Sequence, residues 1–170
     1  MLQSLRLITL LSLLLGAEIT SLTGVLMVRK FRYVNHTADV EFKAYGISID
    51  QALENSFIAL FDTLAYLNKL SKSAGRQRTV KIMLSADSME DMVWKSLQRA
   101  LSIGDANGLL FYGAKVKISE SGKRPSVSVG LLGKPARPEY AKFDVKGISK
   151  YNLSVNRRGK IYTIDVVVDV

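Results

Sequence analysis

The sequence predicts an α+β fold, a two-layer sandwich in which a mostly antiparallel β-sheet carries two α-helices packed on one side. Two segments show the apolar spacing of amphipathic helices, and most of the remaining chain alternates as strands do. The predicted order is two strands, a helix, a strand, a second helix and then five strands. Strands that follow one another without intervening helices favour antiparallel pairing.

The first predicted elements lie between residues 29 and 78. Arg29–Asn35 alternates weakly, and Val40–Gly46 alternates strongly, which predicts two strands with one buried face. Ser48 opens a capping box ahead of an apolar stripe, so a helix is predicted from about Ile49 to Leu67. The polar, basic segment 68–78 is predicted to be a loop.

The second helix is predicted after a strand at Thr79–Leu84. Ser88 is its predicted N-cap, and a carboxylate three residues later can accept hydrogen bonds from the amides left free at the start of the helix. Gly104 and Gly108 are predicted to end it by adopting left-handed conformations. The later predicted strands are Leu110–Ile118, Val127–Leu131, Phe143–Ile148, Tyr151–Val155 and Ile161–Val170.

Composition narrows the chemistry available to the chain. The 170 residues include no cysteine and a single histidine, His36, which excludes thiolate catalysis, cysteine-based zinc sites and multi-histidine metal sites. A metal would be held mainly by oxygen, as calcium, magnesium and manganese are. The net charge of +9 suits a protein that works near RNA or another polyanion.

The first 26 residues differ from the remainder and carry one Arg and one Glu. The apolar run Leu7–Ala17 is too short to span a bilayer as a helix. With Arg6 before it and small residues after it, the run resembles a signal peptide. We interpret residues 1–26 as an apolar extension created by an upstream start, with a signal-like leader as the alternative. Residues 27–170 form the predicted domain, which opens at Met27 and is expected to be cytoplasmic.

The sequence does not predict an enzyme. It has no glycine-rich phosphate loop and no nucleophile-elbow motif, and a Ser-His-Asp triad would have to use His36.

The end of the chain is more informative. Asp169 lies between two valines beside the α-carboxylate of Val170, and a buried carboxylate is costly unless it is paired or bound to a cation. The alternative is a solvated, frayed terminus.

Five blocks of the sequence resemble the archease family. The segment "NHTADVEFKAYG" is similar to the HTAD-V-x-x-x-A-x-G signature, and "ALENSFIALFDTL" to the first helix of the family. Similar matches are "SMEDMVWKSLQRAL" followed by "GLLF", "VKGISKYNLSV", and the terminal "VVVDV". The resemblance covers Met27–Val170 and identifies this segment as an archease-like domain.

The resemblance implies a small, non-catalytic accessory protein. Archeases promote guanylylation and turnover of the GTP-dependent RNA ligase that joins tRNA halves, and they can broaden its use of nucleotides. The partner would be that ligase, with tRNA engaged indirectly and no membrane. A chaperone-like role toward a tRNA methyltransferase is also assigned in the family. Direct RNA binding by a basic module is a further alternative, although the basic residues are scattered along the chain.

The resemblance also implies the site residues. The calcium ligands would be Asp39, Asp169 and Val170, the last through a carbonyl or terminal oxygen, while another divalent cation could take their place. His36 would shape the turn before Asp39, and Lys146 would contact the ligase or its nucleotide. The second helix departs from the family pattern because Lys95, Gln98 and Arg99 stand where a more acidic face is expected.

Overall fold

The computed structural model describes residues 19–21, 26–34 and 39–170. Its fold confirms the predicted α+β class. The strands are β1 (Ile19–Ser21), β2 (Leu26–Val28), β3 (Phe31–Val34), β4 (Val40–Gly46), β5 (Arg78–Ser85), β6 (Leu109–Ser119), β7 (Ser126–Pro135), β8 (Gly147–Arg158) and β9 (Ile161–Asp169). The helices are α1 (Ile49–Leu64), α2 (Leu67–Lys72) and α3 (Met89–Asn107), with a 3-10 turn at Pro138–Tyr140.

The paired strands are antiparallel and divide among three sheets. The largest has the order β3-β4-β9-β8, the second has the order β5-β7-β6, and β1 pairs with β2. Helices α1 and α3 each contact both of the larger sheets, so these sheets share a single core. The alternation of the sequence predicts the strands but carries no information on how they divide among sheets.

The core gathers apolar side chains from the helices and from one face of each sheet. Phe42, Phe57 and Leu97 are completely buried in it. Phe61 links α1 to the second sheet, because its ring centroid lies 5.5 Å from that of Phe111 in β6 and 5.9 Å from that of Phe57, one turn earlier on the same helix. The helix stripes predicted from spacing are therefore core-forming stripes.

Helix α1 also fixes the free edge of β6. The amide of Val116 donates to a carboxylate oxygen of Glu54 (2.9 Å), and the amide of Ile118 donates to Asp50 Oδ1 (2.6 Å). A sheet edge otherwise leaves such amides open to pairing with another chain. Acidic side chains on a helix therefore satisfy this edge and tie the helix to the second sheet.

The helix boundaries confirm two predicted caps and show that the conformation predicted for one glycine was wrong. Ser48 Oγ accepts from the Gln51 amide, and Ser88 Oγ accepts from the Asp91 amide. Gly108 is left-handed, with φ of 57°, and ends α3 as predicted. The prediction for Gly104 was wrong, because the helix continues past it. Gly104 is buried where an added Cβ would lie 3.0 Å from the Leu109 carbonyl oxygen, so close packing explains this glycine.

Segment 68–78 is not entirely a loop, because α2 occupies Leu67–Lys72. The apolar side chain of Leu70 is completely buried, and its amide donates to the Tyr66 carbonyl (2.9 Å). One buried leucine in a polar segment is too short a pattern to predict a helix from spacing. The burial of Leu70 against the core therefore overrides the polar composition.

The prediction of two strands at 143–148 and 151–155 was wrong, because residues 143–146 lie outside any strand and β8 runs from Gly147 to Arg158 with an interrupted register. Ser149 pairs with Val167 and Ser154 with Asp165, so the residues between them bulge away from β9. Asn152 in this bulge has a positive φ of 56°. We call residues 150–153 the β8 bulge. Its irregularity explains why the sequence pattern breaks there.

The predicted leader lies mostly outside the described residues, which omit 1–18 and 22–25. The interpretation of Leu7–Ala17 falls in that part of the chain. The boundary proposed at Met27 lies inside β2. Among the described residues, none of the helices combines the length and the apolarity needed to cross a bilayer.

We predict that Gly46→Ala destabilises the fold, whereas Gly130→Ala does not. An added Cβ at Gly46 would overlap the Ala52 amide and lie 2.8 Å from the Ser48 carbonyl oxygen. These are backbone atoms at the start of α1, so relief requires moving the helix. The expected loss is roughly 3 kcal/mol or more in the free energy of unfolding measured with urea.

The same substitution at Gly130 is a matched control, because an added Cβ there meets nothing within 4 Å. Its expected change is within about 0.5 kcal/mol. Equal stability of the two variants would show that the tight approach of β4 to α1 is not a constraint on the fold.

Candidate metal and partner site

The register between β4 and β9 brings two of the predicted ligands together. Val40 pairs with Val168, so Asp39 and Asp169 are the next residues along two antiparallel neighbours. Continuing that register by one residue would place their Cα atoms roughly 5 Å apart. Val170, the last residue, follows directly. The structure therefore brings Asp39, Asp169 and Val170 to the same end of the four-stranded sheet.

The carboxylates of Asp39 and Asp169 are half-buried, and neither has a protein partner among the described residues. Within the described residues, neither Asp39 nor Asp169 makes a side-chain hydrogen bond or an ion pair. A carboxylate in partial burial loses solvation and gains nothing in return unless a cation or donor approaches it. The arrangement is therefore one in which a cation would stabilise both groups.

Lys146 lies beside these groups and already supplies one positive charge. Its amide donates to the Asp169 carbonyl (2.8 Å), and its Nζ lies 3.1 Å from the Val170 oxygen. The carboxylate of Asp169 lies close to Gly147, where an added Cβ would be at ordinary contact distance, 3.7 Å, from Asp169 Oδ2. Lys146 is exposed, so its ammonium can reach a partner as well as the chain end.

The residues present fit a hard cation such as calcium. Two carboxylates, the terminal residue and nearby carbonyl groups are all oxygen donors, which calcium prefers in sets of six to eight. The described residues contain no group of three or more His, Cys, Asp or Glu side chains suited to a metal. The predicted set does not require such a group, because it consists of two side chains and the chain terminus.

His36 lies outside the described residues, together with positions 35, 37 and 38. Its proposed role in shaping the turn, or in contacting a partner, stays a prediction.

A cleft of about 270 Å³ opens beside Asp39 and was not predicted from the sequence. The Tyr33 hydroxyl donates to Asp62 Oδ2 (2.9 Å), and Lys142 Nζ lies 3.1 Å from Asp62 Oδ1. Phe143, which is 57% exposed, forms part of the rim. These residues come from β3, α1 and the segment before β8, so no local motif signals the cleft. It gives a partner an apolar contact next to the carboxylates.

Burial is the main cause that raises the pKa of Tyr33 above its usual value. The hydrogen bond with Thr63 opposes this shift, whereas the hydrogen bond to Asp62 and its negative charge reinforce it. Tyr33 is therefore a neutral donor at physiological pH, and it holds the Asp62 carboxylate at the wall of the cleft.

Helix α3 fixes β8 next to the site. Trp94 Nε1 donates to the Ile148 carbonyl (2.8 Å), while the Ile148 amide donates to Gln98 Oε1 (3.0 Å). Gln98, one of the departures from the acidic pattern expected for α3, thus has a structural role.

Lys150 links β8 to the start of α3, because its Nζ lies 4.1 Å from the Trp94 ring centroid. Lys95 and Lys150 beside Asp91 lower the pKa of that carboxyl, Lys95 being the larger cause.

Comparison with known proteins identifies a family for most of the chain. Residues 31–170 match the model of the Archease protein family (MTH1598/TM1083). The protein archease of Pyrococcus abyssi is 28% identical over 132 residues, covering 76% of this chain and 90% of the relative. The protein archease of Methanosarcina mazei is 25% identical over 145 residues, covering 84% of this chain and 97% of the relative.

Two solved structures share the fold. The solution structure of Methanobacterium thermoautotrophicum protein 1598 has a TM-score of 0.68 at 21% identity and covers 83% of this chain and 99% of that protein. The crystal structure of a Thermotoga maritima archease, described as a possible chaperone, has a TM-score of 0.52 at 17% identity. It covers 81% of this chain and 94% of that protein. At these identities the likeness concerns the fold alone.

We predict that Tyr33→Phe lowers stability at neutral pH and that this effect disappears in alkali. A tyrosine whose folded pKa is raised stabilises the fold below its unfolded pKa of about 10, and this contribution is lost as the pH rises toward the folded pKa. The variant should lose about 1 kcal/mol at pH 7 through its missing hydrogen bond. Urea unfolding from neutral pH to above pH 10 would measure the converging stabilities.

Tyr151→Phe is the control, because Tyr151 is 75% exposed and its hydroxyl makes no hydrogen bond within the described residues. It should leave the stability unchanged at each pH. A constant gap between wild type and Tyr33→Phe across the alkaline range would contradict the raised pKa of Tyr33.

Proposed function

Because the chain belongs to the archease family, we propose that it is a calcium-binding accessory protein that activates the GTP-dependent, tRNA-splicing RNA ligase. It promotes guanylylation and turnover of the ligase and broadens the nucleotides that the ligase accepts. The observation that carries the proposal is the meeting of Asp39 and Asp169, both without side-chain partners among the described residues, beside the chain end. The protein itself catalyses no ligation and no nucleotide hydrolysis.

Asp39, Asp169 and Val170 would hold the metal. The bound cation would neutralise the carboxylates and join the end of β9 to the turn before β4. Asp39 and Asp169 lie at the ends of strands that are buried in the core, so their positions are set by the fold rather than by the ion. This preorganisation favours a site that assembles a surface for a partner.

Lys146 and the cleft beside Asp39 supply the surface for the ligase. The exposed ammonium of Lys146 lies at the chain end, and Phe143 provides an exposed aromatic contact. Aromatic residues are enriched at the centres of protein interfaces, and polar groups surround them at the rim. A bound cation would neutralise the carboxylates at this surface, which links calcium to activation.

A chaperone-like role toward a tRNA-modifying enzyme, such as a tRNA methyltransferase, is the second candidate. It is supported by the description of the similar Thermotoga maritima archease as a possible chaperone. We also propose that the protein works in the cytoplasm and that the functional chain starts at Met27, where the basic, patterned sequence opens. Mass spectrometry of the native N-terminus tests this start, and a chain cleaved near Ala17 would contradict it.

We predict that calcium stabilises the wild-type protein, while Asp39→Asn and Asp169→Asn abolish the response. A ligand bound only to the folded state adds about 2.7 kcal/mol at a hundredfold excess over its dissociation constant. Calorimetric titration and thermal unfolding with calcium measure the two effects. Residues added after Val170 should weaken binding similarly, because the terminal carboxylate is displaced.

Asp105→Asn is the matched control, since Asp105 is an exposed carboxylate near the end of α3. It should keep the full calcium response. Equal responses of wild type, the two site variants and the extended chain would show that the metal binds elsewhere or not at all.

We predict that Lys146→Gln retains calcium binding but activates the ligase roughly tenfold less well than wild type does. A loss of activation is expected when a charged interface contact is removed. Removing the ammonium leaves the carboxylates in place and takes away a positive charge near the site, so calcium affinity should be equal or higher. The measurement is the rate of ligase guanylylation with and without the protein. Lys115→Gln, on the exposed surface of β6, is the control.

Wild-type activation by the Lys146→Gln variant would exclude this side chain as a contact. Absence of activation by the wild-type protein would contradict the ligase assignment itself.

A further inference from the structure

One edge of the second sheet lies open along β5. The order β5-β7-β6 places β5 at an edge, and its eight residues pair with β7 without a register shift or a proline. At the opposite edge, carboxylates of α1 accept from the amides of Val116 and Ile118. Natural proteins shorten, interrupt or cover such edges, because a long regular edge offers unpaired backbone groups to another strand. The structure covers part of the β6 edge in this way and leaves the β5 edge uncovered.

The strand register identifies the backbone groups of β5 that point away from the sheet. In an antiparallel ladder, neighbouring residues direct their backbone groups to opposite sides. The Val116 amide points away from β7, so Val129, its partner in β7, directs its backbone groups toward Ile82 in β5. The Ala86 amide donates to the Pro125 carbonyl (3.1 Å) in the same alternation. The residues that face outward are therefore Thr79, Lys81, Met83 and Ser85.

The outward backbone groups of these four residues have no hydrogen-bond partner within the described part of the chain. A groove of about 490 Å³ lies between this edge and α3. A helix beside an open strand edge allows an extended peptide to add a strand to the sheet while its side chains contact the groove. The groove is lined by Lys81, Ile82, Met83, Leu84, Lys95, Arg99 and Ile103.

The charged side chains that line the groove are all basic. Lys95 is already paired, because its Nζ lies 2.6 Å from a carboxylate oxygen of Asp91. Lys81 and Arg99 are exposed, and neither side chain makes an ion pair or a hydrogen bond within the described residues. A lysine on an edge strand disfavours pairing with apolar or basic strands. The same charge attracts a strand that carries carboxylates.

We propose that the groove between β5 and α3 binds an acidic, extended segment of a partner protein as an added strand. The backbone of the segment pairs with the outward groups of β5. Ile82 shares the core with α3, so Lys81 lies on the other face of the sheet. Side chains alternate along the added strand, so they meet Arg99 on one face and Lys81 on the other. Carboxylates suit both positions.

A second copy of this chain is a poorer occupant of the same edge. Pairing two β5 edges would bring the unpaired lysines and arginines of both copies into one groove. Like charges on adjacent strands are destabilising, and each chain carries a net charge of +9. The charge of the groove therefore selects an acidic partner.

The inference goes beyond the proposed function, because it requires neither calcium nor activation of a ligase. The groove belongs to the second sheet, whereas Asp39 and Asp169 lie at the end of the four-stranded sheet. It also gives a role to Arg99, one of the residues by which α3 departs from the expected acidic pattern.

The first test is the fluorescence anisotropy of a labelled peptide with the full-length protein, in chelator. The peptide is as long as β5, eight residues, and carries glutamates on both faces of an extended strand. A second peptide has lysines in place of the glutamates and should not bind. The double variant Lys81→Gln/Arg99→Gln should bind the acidic peptide roughly tenfold more weakly than wild type, because two charge pairs are lost.

The matched control is Lys72→Gln/Lys160→Gln, which removes the same charge from exposed positions outside the groove. Its affinity for the acidic peptide should equal that of wild type, and the circular dichroism of both double variants should match wild type. An equal loss in the two double variants would reduce the effect to net charge and overturn the proposal.

The second test is amide hydrogen exchange measured by NMR, which reports the added strand directly. In the free protein, the amides of Lys81 and Met83 should exchange fast, whereas that of Ile82 is protected by β7. The acidic peptide should slow the exchange of Lys81 and Met83 and leave Ile82 unchanged.

Binding of the acidic peptide without protection of these amides would overturn the added strand. Equal binding of the lysine peptide, or no binding of the acidic peptide up to about 1 mM, would also overturn the proposal. Protection of Lys81 and Met83 in the free protein, together with a dimer in analytical ultracentrifugation, would assign the edge to a second copy instead.

Discussion

The pairing of β4 with β9 is the interaction on which the fold and the proposed sites depend. Its inner face places Phe42 beside Val166 in the core, and its outer face places Lys43 beside Asp165. Its end brings Asp39 next to the final residues of the chain. Because side chains alternate along a strand, a shift of one residue would exchange these faces. One register therefore determines both the core and the carboxylate pair.

The helices stabilise that arrangement by satisfying the edges of the sheets. Glu54 and Asp50 of α1 accept from amides of β6, while Trp94 and Gln98 of α3 hydrogen-bond with the backbone of Ile148 in β8. Side chains thus take the place of a missing neighbouring strand, which protects the edges from pairing with other chains. They also fix the segment that carries Lys146. In the proposed function, a rigid scaffold presents the chain end to a partner.

Local patterns in the sequence predicted most elements, because apolar spacing directly reflects which face is buried. The caps at Ser48 and Ser88 were predictable from short-range chemistry. The pairing of Asp39 with the chain end came from the family resemblance, and the register of the strands is consistent with it. The cleft beside Asp39 could not be predicted, since Tyr33, Asp62 and Phe143 come together only through the tertiary fold. Likewise, α2 depends on the burial of Leu70, a tertiary effect.

The central claim is that the carboxylates of Asp39 and Asp169 and the oxygen of Val170 bind one cation. A crystal of the full chain soaked in a lanthanide substitute for calcium would test it most directly through anomalous scattering. The account predicts one strong peak at roughly 2.3–2.6 Å from oxygens of these residues. A peak bound to other residues, or a protein that orders no ion while Asp39 and Asp169 remain apart, would contradict it.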